Sequence, residues 1–595
     1  MENRKNWFTY IYLTIFSIFM GYTLFSGILN IGFSTRYPFL WYGGILAAMG
    51  ALWLVANAFG FLLSRFDLHR LVIKNKQYNV ILESIFVVAV LMVGAGLRVW
   101  VIQNLPIAPA SDYQTYYQVA TLLSQGNLIK DGVGLCNYIS EFPHVIGYSY
   151  ILSKIFWIFG ASVSAGLYFN LAASLISIFL AYRIARLICG KVGGMIALVL
   201  VAFWPSQILY INHLASEPVF TCMMLFSVWL AVYLFKYPLE TGKASVCLFL
   251  NIALGISLAL GSAVRPMSMI LLFAIILCLL PYKIKIYEHK SSVGLIKKSM
   301  SKGWVRVIVI LISYVLCSQI ISGAISRTID RELPGSSVSF GYNLMVGLNI
   351  DSKGAWNEPD AMLMNDKLVE TDSAVEAHKA ARGEAFKRIT KDPIGIANLA
   401  LEKYTLLWKD DDYASSWNIL FMEQQNNLTP ERKALINGLI PWNNIYYLLC
   451  VFFSLLAGIS LWYRKKVGSE QILILFFIGT AMLHMILESQ NRYHYNILPV
   501  FAILAASGII EIFRHYAKKT STIKPDETSE AQQELAAVQE ENLADQEPVE
   551  AKDNKFDMLS AIKDGHVIVT ISEAYLKSVQ QSEILDENLG HRQSY

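Results

Sequence analysis

Long apolar runs recur along this chain, and they constrain its fold more than any other feature. A helix needs roughly 20 mainly apolar residues to cross a membrane, and soluble domains rarely carry many such runs. The runs predict twelve helices, near residues 8–30, 39–63, 80–102, 162–187, 192–211, 217–236, 244–262, 266–282, 304–325, 442–463, 470–487 and 496–514. With 55% hydrophobic and 16% charged residues, we expect an all-α polytopic membrane protein of about 12 transmembrane helices.

Charge and cysteine usage narrow the class further. A net charge of +4 is too small to argue for a nucleic-acid partner. Of the seven cysteines only Cys136 falls in a long polar loop, so no disulfide framework is expected. The first apolar run is too long for the core of a signal peptide and lacks a small-residue cleavage site, so we interpret it as a retained helix.

Lys and Arg concentrate in the cytoplasmic loops of membrane proteins, which predicts an orientation for this chain. With both termini inside, every strongly basic loop falls on the cytoplasmic side. Residues 145–160 are apolar but number only sixteen and contain Lys154. If they crossed the membrane, every later basic loop would lie outside, so we predict an interfacial helix there. Two large segments, 103–161 and 326–441, then face outward.

These runs and loops divide the chain into five predicted parts. The parts are two extra N-terminal transmembrane helices (1–79), a membrane core (80–325), an extracytoplasmic cap (326–441), C-terminal transmembrane helices (442–516) and a cytoplasmic acidic tail (517–595). The cap is expected to contain amphipathic helices near 373–390 and 395–408. The tail has the composition of a solvated or disordered segment, although residues 566–571 are typical of a strand or a docking element.

The first outer loop contains an acid, Asp112, close to the end of a membrane helix. One interpretation is structural, because Ser111 and Gln114 have the spacing of a capping box and Asp112 would favour the positive end of a helix. The other is chemical, because a carboxylate aimed into an outer cavity can act as a general base. Tyr113 and Tyr116 beside it are candidate substrate-binding residues.

Another outer loop carries two candidate substrate-binding residues. His213 and Glu217 lie in one short loop, where Ser216-Glu217-Pro218 is also a good helix start. The two side chains would orient a substrate hydroxyl or hold a metal, and two ligand types in one loop are a weak metal signal. The sequence requires no cofactor and leaves a divalent metal open.

Arginines at two further positions are suited to a phosphate. Arg265 lies between the seventh and eighth predicted helices, and Arg492, Tyr493 and His494 precede the last one. A guanidinium forks onto phosphate oxygens, and phenols and imidazoles add donors. The alternative for these residues is anchoring at lipid headgroups. One acid and two basic sites at the outer face suit a reaction between an anionic lipid-linked substrate and a hydroxyl acceptor.

The chain resembles the GT-C superfamily of integral-membrane glycosyltransferases, in particular its protein O-mannosyltransferase-like and aminoarabinose-transferase-like branch. The resemblance covers about residues 80–515 and depends on the order of short motifs. The motifs are Ser111-Asp112-Tyr113, Phe142-Pro143-His144, Tyr182-Arg183-Ile184-Ala185-Arg186-Leu187, Ser216-Glu217-Pro218, Val264-Arg265-Pro266 and Arg492-Tyr493 with Pro499 beyond. Many relatives have Asp-Pro where this chain has Glu217-Pro218, and a double proline where it has Pro143-His144.

The resemblance implies a transferase that takes a sugar from a polyprenyl-phosphate carrier, with inversion and without a nucleotide sugar. Asp112 matches the family's general base, and Arg265 and Arg492 match positions expected to handle the lipid phosphate. The implied partners are the lipid-linked donor, membrane lipids and a cell-envelope acceptor such as a polysaccharide, teichoic acid, lipid or protein. The implied location is the plasma membrane, with an extracytoplasmic active site. A transporter or flippase, or a polymerase of lipid-linked glycans, is the alternative.

Overall fold

The computed structural model divides the chain into a unit Met1–Ser521 and a unit Thr522–Tyr595. It describes residues 7–33, separate positions within 42–58, and residues 76–237, 243–281, 295–333, 340–464, 468–523, 560–563 and 566–569. The predicted helix near 39–63 is therefore described only in part. Most of the acidic tail lies outside the described residues.

The described part of the first unit is built from helices. Those that precede the cap are α1 (Trp7–Phe33), α2 (Lys76–Asn104), α3 (Asp112–Gln125), α4 (Leu128–Asp131), α5 (Val133–Glu141), α6 (His144–Phe159), α7 (Val163–Ala202), α8 (Pro205–Leu209), α9 (Glu217–Lys236), α10 (Ala244–Val264), α11 (Ser268–Leu279), α12 (Leu295–Met300) and α13 (Gly303–Ile329). Those that follow are α14 (Gly341–Gly347), α15 (Glu358–Thr371), α16 (Ala374–Lys391), α17 (Pro393–Trp408), α18 (Tyr413–Gln424), α19 (Pro430–Arg464), α20 (Gln471–Ile486) and α21 (Leu498–Ile523). Two 3₁₀ segments, Tyr210–Asn212 and Asn491–Ile497, complete it.

Eight helices in the described residues are long and apolar enough to cross a membrane, which confirms the polytopic all-α class. Three shorter apolar helices accompany them, at Tyr42–Val55, Ser268–Leu279 and Gln471–Ile486. The longest, α7, contains a break at Gly190, where φ is 90° and ψ is −176°. A side chain at this φ would be strained, so glycine permits the break, and it lies between two predicted helices. The total of about twelve spans stays a prediction.

Helix α6 is the segment predicted to lie along the membrane interface. It has 16 residues and packs against α3 and α10. A Cβ at Gly147 would lie 2.0 Å from the Ala263 carbonyl oxygen, so only glycine permits this approach. The contact holds α6 against the C-terminal end of α10, directly before Arg265. The glycine at this position therefore helps to form the wall of the cavity that is described below.

The region predicted as a cap has a small hydrophobic core of its own. Tyr342, Met345 and Met364 pack there against alanines of α16. Phe142 and Leu487, which lie outside the cap region, pack against the same core. The amphipathic helices predicted near 373–390 and 395–408 are α16 and α17. Lys403 of α17 donates hydrogen bonds to the carbonyl oxygens of Gly347 (2.8 Å) and Leu487 (2.6 Å), which joins this region to the loop after α20.

The second unit contains one antiparallel strand pair in its described residues. Strand β1 (Ser560–Lys563) pairs with β2 (His566–Val569), in the register Ser560 to Val569. β2 begins at the residue where the sequence predicts a strand.

Candidate active site

A cavity of about 1300 Å³ opens between the membrane helices and the cap region. Its polar wall includes Asp112, Tyr116, Arg265, Arg492 and Tyr493, five of the residues that the sequence selects. These side chains come from three separate stretches of the chain. The cavity therefore brings together the predicted acid and both predicted phosphate-binding arginines.

Asp112 forms an ion pair with Arg492 inside this cavity. Arg492 Nη2 lies 2.6 Å from Asp112 Oδ2, and the two side chains are 41% and 6% exposed for Asp112 and Arg492 respectively. Ser111 precedes the helix with φ 52° and its side chain makes no capping hydrogen bond, so the capping box considered above does not form. A non-glycine residue at positive φ costs about 1–3 kcal/mol and such residues cluster at functional sites. The carboxylate faces the arginine and the cavity.

The same guanidinium is held by three acceptors. Besides Asp112, Arg492 donates from Nη1 to the Tyr113 hydroxyl (2.9 Å) and from Nε to Gln490 Oε1 (3.0 Å). Tyr113 shares a 2.6 Å hydrogen bond with Tyr210 behind it, and Arg492 lies 4.8 Å from the centre of the Trp417 ring. A guanidinium has five N–H donors. Three are used here, which leaves two for a ligand.

The Asp112 carboxyl is kept ionised by its neighbour. Burial alone would raise the pKa of Asp112, but the nearby Arg492 charge and hydrogen bond outweigh it, and the pKa lies below its ordinary value. His144 on the same wall has its pKa lowered to about 4, chiefly by burial. At neutral pH the wall therefore presents an anionic Asp112 and an uncharged imidazole.

The second arginine is held by the first turn of α9. Arg265 Nη1 lies 2.7 Å from Glu217 Oε1, with Arg265 14% and Glu217 1% exposed. Arg265 also lies 5.7 Å from the centre of the Tyr493 ring. Glu217 does not line the cavity, whereas Arg265 does. The predicted Glu217 therefore reaches the cavity only through Arg265.

Two predicted histidines lie behind the cavity wall. His213 is buried against the rings of Tyr113, Tyr210 and Phe421, and burial lowers its pKa to about 3. His494 is fully buried, with Nδ1 2.8 Å from the Leu407 carbonyl oxygen. Neither lines the cavity, so the structure does not bring them to a substrate there. Tyr113 also lies behind the cavity wall, where its hydroxyl accepts a hydrogen bond from Arg492.

His494 instead belongs to a buried polar network. Its Nε2 lies 2.9 Å from Asp411 Oδ1, and Asp411 Oδ2 accepts hydrogen bonds from Trp204 Nε1 (2.7 Å) and Ser206 Oγ (2.7 Å). Both ring nitrogens of His494 therefore face an oxygen atom, and Asp411 contacts three side chains of this network. The network fixes the 3₁₀ segment Asn491–Ile497 that carries Arg492.

Metal ligands do not converge among the described residues. No group of three or more His, Cys, Asp or Glu side chains comes together there. His213 and Glu217 were the weak metal signal, but Glu217 pairs with Arg265 and His213 lies among aromatic rings. The pair is therefore not arranged as a metal site.

Several cavity residues were not selected from the sequence. Glu488 Oε1 accepts hydrogen bonds from Gln490 Nε2 (2.9 Å) and Tyr493 Oη (3.2 Å), and burial raises the pKa of Glu488. Glu141 and His144 also line the cavity. His144 belongs to the motif at residues 142–144. The only sequence signal for Glu141 and Glu488 was that they lie near the motifs at residues 142–144 and 492–493.

An apolar arm extends the cavity between α10, α11, α13 and α20. Its lining residues are Ala259, Ala263, Met269, Ile270, Phe273, Ile321, Ile325, Gly479 and Leu483. A Cβ at Gly479 would lie 2.5 Å from Ile270 Cγ2, so glycine keeps α20 close to α11. The same helices also place Ser262, Tyr314, Ser318 and Ser322 in the lining, and Arg265 follows directly after α10.

A second, shallower groove lies on the far side of the same wall. It is lined by Asp410, Asp412 and Lys409, together with Trp356, Trp417 and Gln490, and the last three also line the main cavity. The main cavity and this groove thus both reach the residues next to Arg492.

The fold and this site define a polytopic membrane protein with a large cavity whose wall contains one acid and two arginines, Asp112, Arg265 and Arg492. Residues 143–318 match the family model described as dolichyl-phosphate-mannose-protein mannosyltransferase. The match covers less than a third of the chain, includes Arg265, and confirms over these residues the predicted resemblance to GT-C membrane glycosyltransferases. No curated protein sequence matches the chain.

Two solved structures are similar to this chain at low identity. The oligosaccharyltransferase of Archaeoglobus fulgidus, in complex with Zn and sulfate, is 12% identical, with 73% of this chain and 51% of that chain covered and a TM-score of 0.37. ArnT from Cupriavidus metallidurans, bound to undecaprenyl phosphate, is 10% identical, with 73% and 79% covered and a TM-score of 0.28. The chain spans about half the length of the oligosaccharyltransferase.

Proposed function

We propose that this chain is a glycosyltransferase that moves a sugar from a polyprenyl-phosphate carrier to a cell-envelope acceptor at the outer face of the plasma membrane. The transferred group is a hexose or a pentose, and the acceptor is a polysaccharide, teichoic acid, lipid or protein. The observation that carries the proposal is the convergence of Asp112, Arg265 and Arg492 at the end of an apolar arm. The family match over residues 143–318 supports it.

The donor lipid fits the cavity in one orientation. Its hydrocarbon chain lies in the apolar arm, because burying apolar surface there is favourable and a charged group is excluded. Its phosphate then lies at Arg265 and Arg492, whose charge and N–H donors suit phosphate oxygens. The sugar occupies the polar part of the cavity near Asp112.

Asp112 acts as the general base in this proposal. The carboxylate takes the proton of an acceptor hydroxyl while that oxygen attacks the anomeric carbon. The bond from the anomeric carbon to the phosphate oxygen breaks, and polyprenyl phosphate leaves with the electron pair. The two arginines stabilise the growing charge on the phosphate. A single displacement of this kind inverts the anomeric configuration.

The ion pair couples donor binding to the base. Without a donor, Arg492 neutralises Asp112 at 2.6 Å. A bound phosphate competes for the same guanidinium and weakens its hold on the carboxylate. The pKa of Asp112 then rises towards its ordinary value, which makes it a stronger base when the donor is present.

The decisive experiment compares wild type with Asp112→Asn, using purified protein and radiolabelled undecaprenyl-phosphate sugars. We expect Asp112→Asn to lower transfer by roughly 10²- to 10⁴-fold, the usual contribution of a general base, while undecaprenyl phosphate binding is retained or strengthened, because Arg492 no longer pairs with a competing carboxylate. Asp131→Asn is the matched control, because Asp131 is exposed and lies in the same loop. Full activity of Asp112→Asn would overturn the base assignment. Movement of lipid across vesicles without transfer would favour the transporter alternative.

A further inference from the structure

Glu141 is an exception among the buried acids of the described chain. Glu83, Glu217, Asp360 and Asp411 each lie beside a basic side chain, and Asp410 accepts a hydrogen bond from Asn30. Glu141 is 8% exposed, its Oε1 has no hydrogen-bond partner, and no ion pair reaches it. A buried polar atom without a partner costs free energy, so native proteins rarely retain one without a reason.

The carboxyl group of Glu141 is not needed to hold the fold together. The cap region contacts this residue through its backbone, because His378 Nε2 lies 2.9 Å from the Glu141 carbonyl oxygen. Any residue at this position would supply that oxygen. The side chain instead lines the main cavity, next to Tyr138 and Phe142.

The surroundings of Glu141 have the character of a sugar subsite. The Phe142 ring lies 5.0 Å from Tyr138 and 5.2 Å from Tyr342, between ring centres, and all three rings line the cavity. Aromatic rings offer flat apolar faces with polar edges, and ligand sites combine such surfaces with a few placed polar groups. Burial raises the pKa of Glu141 to about 7, so the group both donates and accepts hydrogen bonds near neutral pH.

We propose that the Glu141 carboxyl group binds the transferred sugar of the donor, through a hydroxyl or an amino group of that sugar. The inference rests on the proposed function, because the ligand is the lipid-linked sugar. The donor is favoured over the acceptor because Glu141 lies in the cavity that also contains the apolar arm and the arginines. The shallower groove beside Trp417 does not include Glu141 in its lining. Glu141 is therefore a specificity residue rather than a catalytic one.

The test measures lipid binding rather than transfer. Purified wild type, Glu141→Leu and Glu141→Gln are titrated with undecaprenyl phosphate, with undecaprenyl-phosphate mannose and with an undecaprenyl-phosphate amino sugar. We expect Glu141→Leu to raise the Kd of the glycosylated lipid that wild type binds best by roughly 10- to 100-fold, the usual worth of a hydrogen bond to a charged group. Glu141→Gln should lie in between, because an amide keeps part of the hydrogen bonding. The Kd of sugar-free undecaprenyl phosphate should stay within about twofold.

The comparison of the three lipids decides the outcome. A Glu141 effect confined to mannose identifies a hydroxyl, and one confined to the amino sugar identifies an amine. Equal weakening of all three lipids, including the sugar-free one, would overturn the proposal, as would unchanged binding of all three. A change only in the KM of the acceptor would also overturn it. Glu423→Gln on an exposed face is the control. Sugar-dependent binding without transfer would count against the proposed function alone.

Discussion

At the scale of single residues, the ion pair of Asp112 and Arg492 links the two chemical roles of the cavity. A carboxylate that is already paired is a weaker base, whereas an arginine that is already paired is a less available phosphate ligand. In the proposed mechanism, a donor phosphate at Arg492 weakens the pair and frees the carboxylate to act as a base. Without a donor, the two opposite charges offset one another in the cavity wall.

The pH dependence of transfer follows from this pair. Asp112 must be ionised to act as a base, and Arg492 lowers the pKa of that carboxyl, so activity should persist below the ordinary carboxyl pKa. In Arg492→Gln the largest opposition to the burial effect is lost and only the smaller contributions of His144 and Arg265 remain, so the acid limb of the kcat/KM profile should move to higher pH. Initial rates of transfer, measured from about pH 3 to about pH 8, give the position of the acid limb. This range is wide enough to follow the titration of one carboxyl group.

The matched control for this profile is Arg492→Lys, which keeps the positive charge. Its acid limb should stay nearer to that of wild type, although its activity falls because lysine cannot fork onto phosphate. An acid limb that is identical in wild type and Arg492→Gln would show that Asp112 is not the titrating group.

At the scale of structural elements, short segments hold the site rather than the long helices. The first turn of α9 carries Glu217, and the residue directly after α10 is Arg265. The close approach of Gly147 to α10 sets the position of that end. Loss of one partner in such a buried pair leaves an uncompensated charge.

Removing the Glu217 charge should destabilise the protein and loosen Arg265. Glu217→Gln should lower the free energy of unfolding by about 3–5 kcal/mol, because Arg265 is left buried and unpaired. Donor binding should weaken in parallel. Thermal unfolding in detergent micelles and undecaprenyl phosphate titration measure the two effects.

A double-mutant cycle provides the control for that pair. Glu217→Gln combined with Arg265→Gln should be less destabilised than the sum of the single variants, because no lone charge remains. Additive effects would mean that the two side chains do not interact energetically.

The 3₁₀ segment Asn491–Ile497 should depend on the His494 and Asp411 network. In His494→Ala, Asp411 keeps its bonds to Trp204 and Ser206 but loses the imidazole. We expect a loss of about 1–3 kcal/mol in stability, the cost of an unsatisfied buried partner. Weaker undecaprenyl phosphate binding should follow, because Arg492 lies two residues away. Unchanged binding in a folded His494→Ala protein would show that the network does not position Arg492.

At the scale of the whole molecule, the orientation in the membrane is still a prediction from charge. Asp131 lies in the segment predicted to face outward, and Lys298 in a basic stretch predicted to face the cytoplasm. Both residues are exposed. In intact cells, a membrane-impermeant maleimide should label Asp131→Cys and should label Lys298→Cys only after permeabilisation. The wild-type protein, whose loop residue Cys136 is buried, gives the background. The opposite pattern would invert the topology.

The sequence was sufficient where periodicity and charge carry the information. The membrane class and the helices α16 and α17 follow from local apolar spacing, whereas the interfacial position of α6 stays a prediction from its length and from the charge of the later loops. Asp112, Arg265 and Arg492 stood out because a charge near a membrane helix requires a reason.

The positions of the other site residues depend on three-dimensional packing. His494 is adjacent in sequence to the cavity residue Tyr493, and His213 lies in a loop predicted to face outward, yet both side chains are buried away from the cavity, which no local pattern encodes. Glu141 and Glu488 lie at the cavity because distant helices bring them there. Ser111 directly precedes α3 as the capping pattern predicts, but its φ of 52° and its missing side-chain hydrogen bond to the helix are not encoded in that pattern.

The two openings beside Trp417 have a consequence for the order of events in a catalytic cycle. In the proposed reaction, a carrier bound in the main cavity and an acceptor that approaches along the groove would meet beside Trp417 without passing one another. Both substrates would be bound together, as a single displacement requires. The product lipid and the elongated acceptor would then leave by different routes.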